Sequence, residues 1–222
     1  MKLYGIAGAG GFGREVIPIV KQMINDLPQA QSAEIVFILE NSDISDVNGY
    51  KVLSQQEFID SPHEEKFFNI AIGDSKTRER IANLLIEAGA VPFTVAHQNT
   101  VIYAESEIHS SAILCPFVTV TANAKIGKFF NANIYSYVAH DCVIGDYVTF
   151  APGVKCNGNV TIEDHAYIGT GAVIKQGTAK RPVVIGAGAV VGMGAVVTKS
   201  VPAGSTVFGN PAKPLDRSTM RK

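Results

Sequence analysis

The sequence predicts an α/β fold with a small parallel sheet, followed by an all-β parallel helix of six-residue repeats. Three observations carry that reading. Strand-like and helix-like apolar stretches alternate through the first hundred residues, and a glycine-rich loop joins the first strand to the first helix. From Ile102 onward an apolar residue returns every six positions. The chain therefore divides into residues 1–100 and 101–222.

The first half reads in order as follows. "KLYGIAG" is a short apolar strand, and "GREVIPIVKQMIND" places its apolar residues at helical spacing, with Pro18 acceptable only near the first turns. "AEIVFILE" and "FFNIAIG" are two further buried strands. "SKTRERIANLLIEAG" is an amphipathic helix stopped by Gly89, and "VPFTVAH" is the last strand. Such alternation gives parallel strands with helices on their faces.

Gly8, Gly10 and Gly13 form G-x-G-x-x-G between the first strand and the first helix, with Gly11 also present. That loop lets backbone N–H groups approach a pyrophosphate at a helix N-terminus, which makes the first half Rossmann-like. A tight turn alone would use the same glycines. Glu40, followed by Asn41, supplies the acidic residue expected at the end of the second strand. NAD or FAD would be the default ligand. About a hundred residues hold only one mononucleotide half, so a single nucleotide-diphosphate head fits better.

In the second half the inward series runs Ile102, Ile108, Leu114, Val120, Ile126, Ala132, Val138, Ile144, Phe150, Cys156, Ile162, Ile168 and Ile174. The residue four further on, from Ser106 through Ala124 and Cys142 to Thr178, is never charged. The register slips by one residue across "KRPVV" and resumes at Ile185, Val191, Val197 and Ala203. Three such units make a triangular coil of about 18 residues, stacked at roughly 4.8 Å. Gly127, Gly145, Gly169, Gly186 and Gly192 follow the aliphatic position, where the chain turns. A β-sandwich would instead show period two with variable loops.

Composition narrows the partners. Nineteen basic and twenty acidic residues leave a formal charge of -1, which gives no electrostatic reason for nucleic acid or an anionic membrane. No apolar run approaches the roughly 18 residues that span a bilayer, and the start lacks signal-peptide order. Cys115, Cys142 and Cys156 have no C-x-x-C spacing and read as reduced residues of a cytoplasmic protein. No cluster suggests a metal.

Within "VAHDCVIGDYVTFAPG", His140 is followed at once by Asp141, outside the inward positions. Gly158 lies one coil later at the same angle, leaving room beside the imidazole for a thin substrate arm. A histidine near neutral pH is suited to removing a proton from an attacking amine or hydroxyl. A surface histidine on a solenoid wall is the plain alternative. Sequence neighbours point to opposite faces of a flat strand, so Asp141 reaches His140 only at a corner.

Taken together, "GIAGAGGFGREV", "FILEN", "NIAIGDSKTR", "AHDCVIGD", "KCNGNVTI" and "VFGNPAKPL" resemble, over essentially the whole chain, the NeuD family of hexapeptide-repeat acyltransferases. Within it the match is to sugar-nucleotide N-acetyltransferases of PglD type. The resemblance implies a left-handed parallel β-helix and a homotrimer with acetyl-CoA bound between subunits. It implies His140 as proton acceptor, Asp141 raising its basicity, and Asn133 near the acceptor amine. The UDP part of the acceptor would lie on Gly10, Gly11, Phe12, Glu40, Asn41 and Gly73. Phe12 stands where the family usually has His, and Glu40–Asn41 where it often has two aspartates. Thr149, in place of a family histidine, with Gly158, Thr170 and Gly171, would meet acetyl-CoA. Lys180 and Arg181 could meet its phosphates or belong to a solvated loop.

The implied reaction is N-acetylation of the 4-amino group of a UDP-linked 4-amino-4,6-dideoxy sugar. O-acetylation of a sugar such as sialic acid, or N-acylation of a GDP- or dTDP-amino sugar, are the alternatives in the same class. A non-catalytic trimeric scaffold with a nucleotide-sensing head, or an NAD-binding oxidoreductase, would be of another class.

Overall fold

The computed structural model describes residues 1–26, 33–41 and 43–215. They fall into two compact units. One comprises Met1–Gln98 with Ser110–Cys115, and the other Asn99–His109 with the chain from Pro116 onward.

In the first unit, β1 (Lys2–Ala7), β2 (Ala33–Leu39), β3 (Asp46–Val47), β4 (Tyr50–Ser54), β5 (Glu65–Ile70) and β6 (Val91–Pro92) form one sheet in the order β3-β4-β2-β1-β5-β6. All neighbours are parallel except β3 with β4. Helix α1 (Gly11–Asn25) buries Val16, Ile17, Val20 and Ile24. Helix α3 (Ser75–Glu87) buries Arg78, Ile81, Ala82 and Leu85. Between them, α2 (Gln55–Asp60) is stopped from fraying by a capping box in which Ser54 and Glu57 satisfy each other's backbone N–H.

Three features depart from the sequence reading. Pro18 is the eighth residue of α1 rather than near its first turns; it lies on the exposed side, as does Arg14, whose carbonyl loses its partner. The hairpin β3–β4 and α2 occupy a stretch that shows too little periodicity to announce them. "VPFTVAH" is not one strand: it breaks after Pro92 and resumes at β7 (Val95–Ala96). There it pairs with Ile113–Leu114 in the same unit.

The second unit is the stacked column. Its three flat faces are parallel sheets of mostly two-residue strands, and up to Ile174 each coil returns after eighteen residues. On one face Val120, Val138, Cys156, Ile174 and Val197 lie in register. On the next are Ile126, Ile144, Ile162 and Ile185, and on the third Ala132, Phe150, Ile168, Val191 and Val207. All of these side chains are buried. Burying one such aliphatic chain contributes about 1.5–3 kcal/mol, so the inward series is a large stabilising contribution to the column.

The register departs from the expected one at the first coil and at two slips further on. Ile102 is exposed and Ile108 half-buried, because the first coil has no coil beyond it to cover them. Thr178 is exposed in a small hairpin with Arg181. The slip is a five-residue insertion, since Ile162 pairs with Ile185. After Val197 the inward residues are Val201 and Val207, and Ala203 is exposed, so the chain slips a second time.

Corners obey a different rule from the one expected. Gly127, Gly145 and Gly169 have ordinary φ; a Cβ there would collide with the next coil's backbone, as at 2.8 Å from Gly145 C for Gly127. The left-handed residues at the corners are mostly not glycine. They are Phe117, Asn123, Phe129, Tyr135, Asp141, Tyr147, Asn159 and His165, recurring every six or twelve positions. Left-handed backbone costs an L-residue about 1–2 kcal/mol. Asn and Asp tolerate it, and the aromatic corners offset it by stacking on the same corner one coil on. Phe117–Tyr135 centroids lie 4.8 Å apart, Phe129–Tyr147 5.5 Å and Tyr147–His165 5.3 Å, each pair stacked with nearly parallel rings. Such pairs are worth about 0.5–1.5 kcal/mol.

Candidate active site

His140 and Asp141 are the two central residues of a corner, after the strand Tyr137–Val138. Asp141 takes φ +57, and this left-handed turn swings its side chain back beside the preceding one. Asp141 Oδ2 accepts from His140 Nδ1 at 2.8 Å, so the corner supplies the geometry a flat strand forbids. Nε2 is left for other partners. The side chains are 45% and 46% exposed, so the couple is open to a substrate.

Asn123, one coil earlier on the same corner, donates from Nδ2 to Asp141 Oδ1 at 3.0 Å. Both oxygens of the carboxylate are therefore held. The sequence reading passed over Asn123; its signal was its place eighteen residues before Asp141. The bonds from His140 and then Asn123 hold the Asp141 carboxyl below its ordinary range. Their contribution is present above the pH where an unfolded carboxylate ionises, and is lost as pH falls through the depressed folded value. Asn123→Ala removes one donor, so the Asp141 titration should move up toward the ordinary range while His140 stays bonded. Carbon NMR of the side-chain carboxyl checks this, and an unmoved titration would take Asn123 out of the couple.

Gly158 does lie one coil later at the same angle, but the space above it is not vacant. A Cβ on Gly158 would overlap Cε1 and Nε2 of His140 and come within 2.9 Å of Cδ2. The missing side chain makes room for the imidazole, which packs on the backbone of the next coil, and not for a substrate arm. Behind the corner Cys142 is buried, with Sγ bonding the Asn157 carbonyl at 3.1 Å. A second acid–histidine neighbour pair, Asp164–His165, is arranged differently. Its imidazole stacks on Tyr147, and Asp164 Oδ1 accepts from the Asp146 N–H at 2.7 Å.

The remaining predicted residues of this unit are distributed around the column. Asn133, Thr170 and Gly171 share the corner before His140's, across the face that carries Tyr137 and Lys155. Asn133 turns its Oδ1 back onto the Ile134 N–H at 2.7 Å. Gly171 has φ +68 and open space where a side chain would be. Thr149 lies on another face, buried beside Asn131 and Tyr167. Lys180 and Arg181 are exposed in the inserted hairpin.

In the first unit, the other predicted residues gather at one end of the sheet. Gly10, Gly11 and Phe12 follow β1, Glu40 and Asn41 follow β2, and Gly73 follows β5, three adjacent parallel strands. Gly10 caps α1, and Gly10, Gly11 and Gly73 are exposed with open space around them. Gly8 has φ +99, and a Cβ on Gly13 would run into the Gly8 carbonyl, so the turn and helix pack backbone to backbone. Carboxyl ends of parallel strands beside a helix N-terminus are where such sheets bind nucleotides. Arg78 is fully buried beneath this end and donates to the Ile72 carbonyl at 2.6 Å. Among the described residues no group of His, Cys, Asp and Glu is placed to hold a metal ion, and no helix is long and apolar enough to cross a membrane.

A left-handed parallel β-helix of six-residue units, on one chain with a glycine-loop α/β unit, defines a hexapeptide-repeat acyltransferase. Residues 5–85 match the PglD N-terminal domain. The GDP-perosamine N-acetyltransferase of Escherichia coli O157:H7 is 56% identical over 218 residues, 98% of each chain. Among solved structures, WeeI from Acinetobacter baumannii AYE superposes with TM-score 0.92 at 58% identity, covering 97% of this chain and 100% of its own. The acetyltransferase domain of PglB from Neisseria gonorrhoeae FA1090, in complex with acetyl coenzyme A, gives 0.84 at 27% identity over 96% and 98%. The chain belongs to the NeuD/PglD-type family of sugar-nucleotide acetyltransferases. It is an enzyme, an acyltransferase.

Proposed function

We propose that the protein transfers the acetyl group of acetyl-CoA to the amine of a nucleotide-linked amino sugar, and that the sugar is carried on GDP. The single observation that carries the chemistry is His140, bonded to Asp141 at 2.8 Å on an exposed corner, with Nε2 unengaged by that bond. The full-length relative that acts on GDP-perosamine favours GDP over the UDP that the resemblance alone implied.

In this reading the sugar amine attacks the thioester carbonyl carbon and a C–N bond forms. His140 Nε2 takes the proton from that nitrogen, while Asp141 stabilises the imidazolium through Nδ1–H. The tetrahedral intermediate collapses, the C–S bond breaks, and CoA leaves as a thiol after protonation. Asn133 would orient the amine; Thr149, Gly158, Thr170 and Gly171 would line the acetyl-CoA groove beside a neighbouring copy in a trimer. Gly10, Gly11, Phe12, Glu40, Asn41 and Gly73 would hold the nucleotide. The free thiols of Cys115, Cys142 and Cys156 support a cytoplasmic setting.

The test is direct. Purified protein is mixed with acetyl-CoA and GDP-, UDP- or dTDP-linked 4-amino sugars, and free thiol and product mass are followed. Thiol release coupled to acetylation of the GDP-amino sugar is expected. No release with any amino-sugar nucleotide would sink the reading.

A further inference from the structure

Arg80 of α3 grips Glu40 with both terminal nitrogens, Nη1 to Oε1 at 3.2 Å and Nη2 to Oε2 at 3.1 Å. Glu40 follows β2, Arg80 belongs to the helix after β5, and β1 runs between those two strands. The ion pair therefore spans the carboxyl end of β1, where the glycine loop begins. It is built from exposed side chains, 52% for Arg80 and 62% for Glu40. Water already competes for such a bond, and a ligand can replace it.

The arrangement is two parallel N–H groups of a planar CN3 unit meeting both oxygens of a carboxylate. One nucleobase carries the same donor pair. The N1–H and N2–H of guanine lie side by side on a cyclic guanidine. Uracil shows a single N–H flanked by carbonyl oxygens, and adenine shows no N–H at N1. Set against a carboxylate, either base would leave oxygen or a ring-nitrogen lone pair facing oxygen.

We propose that Glu40 selects guanine by accepting from N1–H and N2–H, and that Arg80 competes with the base for that carboxylate. Arg80 occupies the same carboxylate edge while the crevice is empty and yields it when guanine arrives. This inference rests on the reading of that sheet end as the nucleotide crevice and adds the residues that choose the base.

Calorimetric titration of the full chain with GDP and with UDP tests it, using wild type, Glu40→Gln and Arg80→Met. Both side chains lie on the surface, and a thermal melt reports that the variants fold. Wild type should prefer GDP. Glu40→Gln keeps one acceptor and adds a donor, so the preference should shrink by about 10- to 100-fold. Arg80→Met should keep the preference and bind GDP no more weakly. An unchanged preference in Glu40→Gln overturns the proposal, as does its loss in Arg80→Met, which would make Arg80 the reader. Wild type that favours UDP, or binds both equally, defeats the base assignment alone. Wild type that binds neither nucleotide defeats the crevice reading itself.

Discussion

Replacing His140 with Ala should lower turnover by about 10²- to 10⁴-fold, the range a positioned general base supplies. An amine that has attacked a thioester keeps an extra proton, and the intermediate reverts unless that proton is removed. Asp141 cannot substitute for the imidazole, because a carboxylate is a much weaker base than an imidazole. The loss should fall on kcat, with little change in KM, as expected of a residue proposed to move a proton and not to anchor either substrate. Thiol release under saturating substrates checks this. Equal turnover in wild type and variant would remove His140 from the chemistry and leave the corner a structural feature.

Gly158→Ala should lower kcat by about 10²-fold, an effect of the size produced by misplacing a reacting group by roughly 1 Å. The methyl would enter the volume of Cε1 and Nε2, so the ring must swing away from the coil. Because Nδ1 is tied to Asp141 at 2.8 Å, that swing also strains or breaks the couple. The backbone itself accepts alanine, as Gly158 does not take positive φ and its carbonyl still receives the Gly177 N–H at 3.0 Å. Stability should therefore change little, which separates this variant from one that merely unfolds. Since the same residue is proposed to line the acetyl-CoA groove, binding of CoA is measured alongside. A drop confined to CoA affinity, with kcat intact, would show that the imidazole does not need the room above Gly158.

The column was legible because its interior is narrow: each inward position admits one aliphatic or small residue, and the six-beat pattern follows. The beat misled at the uncovered first coil, where Ile102 is exposed and Ser106 and Ile108 are half-buried, and at the two register slips, where Thr178 and Ala203 are exposed; a periodic count cannot distinguish these from covered positions. The first unit was legible at β1, α1, β2, β5 and α3, whose buried faces are long. The hairpin β3–β4 and α2 were not, since capping and a two-residue edge strand leave almost no apolar pattern. For the site, the adjacency of His140 and Asp141 was plain, and the need for a corner followed from strand geometry. Asn123 and the true tenant of the Gly158 gap were hidden for one reason. Both depend on where side chains point between coils, and spacing alone gives only which residues share an angle.

Each corner of the column acts as a ruler graduated in steps of one strand spacing, about 4.8 Å. A side chain on any graduation can be exchanged while the inward letters stay fixed, because the left-handed turn projects it away from the interior. A reactive couple could thus be slid one notch along the axis by rewriting its two letters eighteen residues away, together with the glycine one coil on that seats the imidazole. Enzymes built on this column can tune the reach between chemistry and substrate in discrete increments without redesigning what holds them upright.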